Sequence, residues 1–129
     1  MIPNRFFFVC VGGAIGTGAR YMLGVWVART FGAVFPLGTL LINLLGSFLI
    51  VVVMGLSLQK GIIPADLRLV LTTGVMGGFT TYSSFNYETL RLFEQGSRGL
   101  ALLYLGATVI GCLVLGTVAS ALVRLVPGG

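Results

Sequence analysis

The stretch GVMGGFTTYSSFNYE, residues 74–88, is the part of the chain that decides its fold class. It lies inside an apolar segment long enough to cross a bilayer, yet it holds three glycines, two threonines, two serines and an asparagine. Tyr82 and Phe85 stand three positions apart within it. Polar groups at membrane depth are expensive unless they form a site or line a path. The stretch therefore predicts a membrane protein that either lets a polar species pass through it or binds one within the membrane.

The composition of the whole chain also indicates a membrane protein. Of the 129 residues, 57% are hydrophobic and only 9% are charged, whereas soluble domains carry about 25% charged residues. We therefore predict one transmembrane domain over residues 1–129. The net charge of +5 is spread singly along the chain, which argues against a nucleic-acid partner. The apolar start resembles a signal peptide, but it continues to Ala28 without a cleavage site, which favours a retained helix.

Four apolar segments are long enough for a helix to cross the hydrocarbon core, which takes about 20 residues. They cover approximately residues 6–28, 37–58, 67–93 and 100–126. Their apolar character is continuous rather than alternating, which excludes a β-barrel. We predict an all-α membrane protein of four transmembrane helices joined by short loops. Small residues at four-residue spacing, Gly12 with Gly16 and Gly74 with Gly78, predict close helix packing.

The basic residues divide almost evenly between the two sides of such a four-helix arrangement. One side would hold Arg5, Lys60, Arg68 and Arg124, and the other Arg29, Arg91 and Arg98, with Arg20 if it reaches that surface. The positive-inside rule then fixes no orientation. Either the counts of a small protein are noisy, or copies insert in both orientations, and the charges alone do not choose. Because four short helices cannot readily enclose a polar path, we expect a homodimer with twofold symmetry.

The third segment carries a predicted helix break. Gly77 and Gly78, followed by Thr80 and Thr81, make a poor helix interior. A break there would free carbonyl and N–H groups that need protein, water or an ion as partner, and broken helices build ion sites in this way. The alternative is a kink satisfied by the neighbouring hydroxyls. Directly after the break, the positive edges of the aromatic pair could assist an anion without a full countercharge.

Two other segments carry polar residues on one helical face. Asn43 is the only amide of its apolar segment, and Thr39 lies one turn before it. A lone amide in hydrocarbon either bridges helices or lines a pore. Tyr104, Thr108 and Cys112 recur at four-residue spacing in the last segment and form a faint polar stripe.

The charged residues inside the segments are few. Arg20 lies within the first segment, where a charge is either functional or reaches the interface with its long side chain. Glu88 ends the polar stretch, and Arg20 and Arg91 are its candidate partners. The chain has no histidine, and the first, second and fourth segments have no carboxylate. This argues against an enzyme, a metal centre of side chains and a proton-coupled exporter.

Three motifs together resemble one known family. GVMGGFTTYSSF from Gly74, GTLLINLLGSF from Gly38 and GGAIGTGARY from Gly12 are similar to the Fluc/CrcB fluoride channels, over all four segments and the chain length. The resemblance implies a passive, fluoride-selective channel in the bacterial inner membrane. It also implies an antiparallel, dual-topology homodimer with two pores.

The resemblance further implies roles for individual residues. The pore residues would be Asn43, Tyr82, Phe85 and Tyr104, with Thr39, Ser84 and Thr108 as hydroxyl contacts, Arg20 at the vestibule and Glu88 as the acid of the third helix. The carbonyls of Gly77 and Thr80 from both subunits would hold a structural sodium ion at the dimer centre. The family usually has phenylalanine in place of Tyr82, whose hydroxyl could bind fluoride, occlude the path or point aside.

Two other functions fit a small four-helix membrane protein. A small multidrug-type antiporter also uses four helices and dual topology, but it predicts an acid in the first span, which this chain lacks. A structural or assembly subunit without transport is the third alternative.

Overall fold

The computed structural model describes residues 4–128, and these contain helices and no strand. The helices in chain order are α1 (Arg5–Phe31), α2 (Leu37–Leu58), α3 (Ala65–Leu69), a π-helical segment (Val70–Met76), α4 (Gly77–Phe79), α5 (Tyr82–Glu94) and α6 (Arg98–Arg124). The predicted all-α class is confirmed.

Three of the described helices, α1, α2 and α6, are long and apolar enough to span a membrane. They have 27, 22 and 27 residues, and each residue adds about 1.5 Å, which suffices for a hydrocarbon core of about 30 Å. Large apolar side chains lie exposed on them, among them Ile15 on α1 and Leu113 on α6. Such faces are stable against lipid rather than water, so the chain is a multi-pass membrane protein.

The predicted boundaries agree with these three helices to within a few residues. The α2 helix covers the predicted range, whereas α1 continues past Arg29 to Phe31 because an arginine at the interface does not end a helix. Gly32 ends it with a φ of 85°, a conformation that favours glycine. The α6 helix runs two residues earlier at each end than predicted, starting at Arg98.

The predicted third segment, residues 67–93, consists of shorter pieces. From α3 through the π-helical segment to α4 the chain stays right-handed helical, and Thr80 and Thr81 are then extended with ψ of 159° and 122°. A new helix, α5, begins at Tyr82. The wider π-helical turn includes a hydrogen bond from the Gly77 N–H to the Thr72 carbonyl. No sequence pattern predicted this turn, because its apolar residues suit an α-helix equally well.

Glycines bring α1 against the segment that precedes the extended residues. A Cβ on Gly74 would lie 2.9 Å from the Val9 carbonyl oxygen, and one on Gly16 would overlap the Val75 carbonyl. Because real Cβ atoms do not approach so closely, only glycine permits this contact. The predicted packing role of the four-residue glycine spacing is confirmed.

The α2 and α6 helices pack together, and side chains of α2, α5 and α6 form the buried core. Leu40, Phe85, Leu92, Ala101 and Tyr104 form one buried cluster. A Cβ on Gly55 of α2 would lie 2.7 Å from Cγ1 and 3.2 Å from Cβ of Val123 on α6, so this pair of helices also relies on a small residue. The result is a frame that fixes α5 beside the extended residues.

Polar contacts join the start of α1, the end of α2 and the beginning of α3 at one end of the molecule. Arg5 at the start of α1 forms an ion pair with Asp66, at 2.8 Å. Arg68 donates from Nη1 to Ser57 Oγ, which in turn donates to the Ile63 carbonyl. These bonds join the loop after α2 to the beginning of α3.

Candidate functional site

Asn43 of α2 is bonded to the extended residues through both ends of its amide. Its Nδ2 donates to the Thr81 carbonyl at 3.0 Å, and the Thr81 N–H donates to its Oδ1 at 2.9 Å. The amide is nearly fully buried. Of the two predicted roles for this residue, the structure shows the bridge between helices, here to a backbone that has left the helix. One N–H of the amide is not used in this exchange.

The helix is interrupted at the extended residues Thr80 and Thr81, and threonine hydroxyls bond the backbone on both sides of this interruption. The Thr80 N–H and Oγ1 both donate to the Met76 carbonyl, at 3.0 and 2.9 Å. Thr81 Oγ1 accepts the N–H of Ser84 at 3.2 Å and so caps the N-terminus of α5. The threonines therefore close one helix and open the next.

The interruption leaves two carbonyls without their usual helical donors. The N–H of Thr81, four residues after Gly77, donates to Asn43, and the N–H of Ser84, four residues after Thr80, donates to the Thr81 hydroxyl. Gly77 is exposed and Thr80 is partly exposed on the surface of the single chain. In membrane proteins, the backbone carbonyl oxygens of interrupted helices serve as ligands for alkali cations. The carbonyl oxygens of Gly77 and Thr80 are therefore of the kind that could bind a sodium ion.

Arg20 of α1 is held at the same interruption. Its Nε donates to the Gly78 carbonyl at 3.0 Å, and the Thr17 hydroxyl reaches the same oxygen at 3.5 Å. A cation at the C-terminal end of a helix is favoured by the helix dipole. Arg20 is therefore a structural contact to the end of α4 as well as a charge at this place.

Four aromatic rings form a line of edge-to-face contacts beside the interruption. The rings of Tyr82 and Phe85 are 5.9 Å apart, those of Phe85 and Tyr104 5.1 Å, and those of Tyr104 and Phe35 5.6 Å. Tyr82 is 78% exposed, Phe85 7% and Tyr104 0%. The predicted aromatic pair does make contact, and it continues inward. Phe35 was not predicted, because it lies in the loop before α2, far from the others in sequence.

The hydroxyl of Tyr104 gives Glu88 its partner. Tyr104 Oη donates to Glu88 Oε1 at 3.2 Å, and the Thr39 side chain lies beside the same hydroxyl. The sequence offered Arg20 and Arg91 as partners for this acid. The structure gives it a tyrosine instead, because α5 and α6 face each other there while Arg20 Nε contacts Gly78.

Thr108 lies one turn after Tyr104 on α6, and its side chain is a buried hydroxyl. The residue is 7% exposed, and its Oγ1 has no hydrogen-bond partner within residues 4–128. A buried hydroxyl without a partner is unfavourable by about 1–3 kcal/mol. Such a group is ready to bond a ligand or a water molecule.

A cavity of about 880 Å³ opens between α1, α2 and α5. It extends from the loop of residues 32–36 inward to Thr81 and Ser84. The predicted site residues that line it are Arg20, Thr39, Ser84 and Glu88. The predicted residues that do not line it are Asn43, Gly77, Thr80, Tyr82, Phe85, Tyr104 and Thr108. Within one chain the predicted residues thus fall into two groups. One group lines the cavity, and the other lies at the interruption and along the row of aromatic rings beside it.

Comparison with known proteins identifies the family. The model of the family described as CrcB-like protein, Camphor Resistance (CrcB), matches residues 7–120. The chain belongs to the CrcB family. A relative from Anaeromyxobacter sp. (strain K), named fluoride-specific ion channel FluC, is 58% identical over 96% of this chain and 98% of its own.

Two further relatives with the same name extend the comparison. A protein from Thermus thermophilus is 50% identical over 86% of this chain and 87% of its own length. The protein from Sorangium cellulosum (strain So ce56) is 46% identical over 94% and 95%. The predicted family is thereby confirmed over nearly the whole CrcB chain.

Proposed function

We propose that this CrcB protein is a fluoride-selective channel, not an enzyme, through which fluoride moves passively down its electrochemical gradient. The near-complete match to relatives named fluoride-specific ion channels carries the proposal. The site agrees with it, since the interruption and its surroundings offer hydroxyls, an amide and ring edges.

Fluoride would exchange its hydration shell for several weak donors in succession. The unused N–H of Asn43, the unpartnered hydroxyl of Thr108 and the edges of Phe85 and Tyr82 are donors of this kind. Thr39 and Ser84 would add hydroxyls where the path meets the cavity. Sites that bind weakly and repeatedly let an ion enter and also leave, which conduction requires. Arg20 would raise the local anion concentration at the vestibule.

An antiparallel, dual-topology homodimer would complete the two pores. Tyr82 is largely exposed on the single chain, and the exposed Gly77 lies at the same interruption, so both are available to a second copy. Residues 65–94 would then make the third of four crossings, as two helical parts joined at Thr80 and Thr81. Reporter domains fused to the C-terminus should appear on both sides of the bacterial inner membrane, and a single-sided result would contradict this assembly.

The carbonyls of Gly77 and Thr80 would hold a structural sodium ion where two copies meet. The support is that both oxygens have lost their helical donors at a surface suited to contact. A bound sodium ion would supply positive charge to the carbonyl oxygens that such a dimer would bring together. Exchange of sodium for N-methylglucamine should lower the dimer's unfolding temperature, with recovery on adding sodium back. An unfolding temperature indifferent to sodium would contradict the site.

The antiporter alternative gains no support from the structure. The α1 helix contains no carboxylate, and the acid in α5, Glu88, is bonded by a tyrosine.

Fluoride efflux from reconstituted vesicles, followed with a fluoride electrode, tests the proposal. We expect rapid efflux once a potassium carrier relieves the membrane potential, without any proton gradient. Absence of efflux, or efflux only with a proton gradient, would contradict it.

A further inference from the structure

We propose that Arg91 gathers anions at the outer end of the cavity and offsets the charge of Glu88 there. This inference rests on the proposed fluoride conduction and adds to it a residue that sets the rate of anion entry. It starts from one face of α5, on which Ser84, Glu88, Arg91 and Gln95 recur at helical spacing and all line the cavity. Arg91 therefore lies about one turn outward of the acid.

The guanidinium of Arg91 is available to a mobile anion. The residue is exposed, and it forms no salt bridge or side-chain hydrogen bond within residues 4–128. Arg20, the other arginine of the cavity, differs in this respect because its Nε is bonded to the Gly78 carbonyl at the inner end. The two arginines thus differ in bonding and position: Arg20 is held at the interruption, and Arg91, unbonded within residues 4–128, lies at the outer end of the cavity.

The charges that line the cavity show what Arg91 contributes. They are Arg20, Glu88 and Arg91, which together give a net charge of +1. Without Arg91, the sum is zero, and an entering anion would meet the carboxylate of Glu88 before it meets Arg20. Clefts with charge of one sign raise local ion concentration and association rates by roughly 10- to 1000-fold. Because this cavity also holds a carboxylate, we expect one arginine to contribute no more than the lower part of that range.

Other charges near this end do not line the cavity. Glu94 lies on α5, Arg98 begins α6, and Arg29 lies in the last turn of α1 before the loop of residues 32–36; none of the three lines the cavity. Arg98 is exposed and belongs to the same end of the molecule, since only the short connection of residues 95–97 separates it from α5. It therefore offers a matched control, because its replacement removes the same charge from the same side without altering the cavity.

The test compares initial fluoride efflux from vesicles holding wild type, Arg91→Gln, Arg91→Lys or Arg98→Gln. Each is measured at low ionic strength and at about 1 M of an impermeant salt, where the Debye length is only about 3 Å. At low ionic strength and low fluoride, we expect Arg91→Gln to reduce the rate by about three- to tenfold. Arg91→Lys and Arg98→Gln should stay near wild type, and the deficit of Arg91→Gln should vanish at high salt.

The outcomes separate this role from the proposed function. Wild type without fluoride efflux contradicts the proposed function and this inference with it. Wild-type efflux together with equal rates for Arg91→Gln and Arg98→Gln overturns only the role of Arg91. A deficit of Arg91→Gln that is the same at both ionic strengths also overturns it, because a structural defect is not screened by salt.

Discussion

The amide of Asn43 and the backbone of Thr81 exchange two hydrogen bonds, of 3.0 and 2.9 Å, across the space between α2 and the interrupted helix. One buried side chain thereby accepts the Thr81 N–H, which a continuous helix would have bonded to the Gly77 carbonyl, and also donates to the carbonyl of the same residue. The shape of the interruption depends on the presence of both a donor and an acceptor at position 43.

Replacement of Asn43 by aspartate should disrupt the site although the size of the side chain hardly changes. Aspartate keeps an oxygen for the Thr81 N–H but places a second oxygen against the Thr81 carbonyl. We expect the free energy of unfolding to fall by about 1–3 kcal/mol, the penalty for an unsatisfied buried group, and fluoride flux to be lost. Thermal unfolding in detergent and vesicle efflux measure both. Met54→Leu, at an exposed position on the same helix, is the control. An Asn43→Asp variant as stable as wild type would contradict the account.

The contact of α1 with α4 should not tolerate a methyl group at Gly78. A Cβ there would overlap the Gly13 carbonyl and lie 2.9 Å from Thr17 Oγ1. We expect Gly78→Ala to reduce stability by about 1–3 kcal/mol, as overpacking does. Gly18→Ala has open space around the added atom and should behave as wild type. Equal unfolding temperatures for the two variants would show that the helices are not this close.

Loss of the Tyr104 hydroxyl should affect function through Glu88. Tyr104→Phe keeps the ring contacts with Phe85 and Phe35 but removes the bond to the carboxylate. We expect a loss of about 1–3 kcal/mol of stability, because hydrogen bonds to charged groups are among the stronger ones. Fluoride efflux should fall, since the carboxylate would be freer to face the cavity. Tyr87→Phe, at an exposed position, should change neither quantity; a Tyr104→Phe variant that matches it would refute the pairing.

The two aromatic residues after the interruption should differ sharply on substitution. The Tyr82 hydroxyl makes no hydrogen bond within residues 4–128, so Tyr82→Phe should keep fluoride efflux within roughly twofold of wild type. Phe85→Ile removes ring contacts to both Tyr82 and Tyr104. We expect efflux to fall by about tenfold or more, together with the loss of the edge donors. If Tyr82→Phe abolishes efflux, the hydroxyl takes part in binding and the ring-edge description is incomplete.

The sequence predicted those features that depend on local composition. The helical class, the place where helix geometry fails and the contact of Tyr82 with Phe85 all follow from residues near one another in the chain. The glycine spacing on α1 predicted close packing for the same reason.

Features that depend on how distant helices face each other were not predictable in the same way. The choice of Tyr104 as partner of Glu88 depends on the rotation of α6 against α5, and the place of Phe35 depends on where a loop folds. The cavity likewise exists only because α1, α2 and α5 diverge at one end. A single sequence shows which side chains need partners, but it does not show which partners are within reach.

The reversal potential of the reconstituted protein in a planar bilayer tests the central claim most directly. With a fluoride gradient across the membrane and equal chloride on both sides, the current should reverse at the equilibrium potential of fluoride. It should stay there when the chloride gradient alone is changed. A reversal potential that follows chloride, or no current at all, would contradict a fluoride-selective channel.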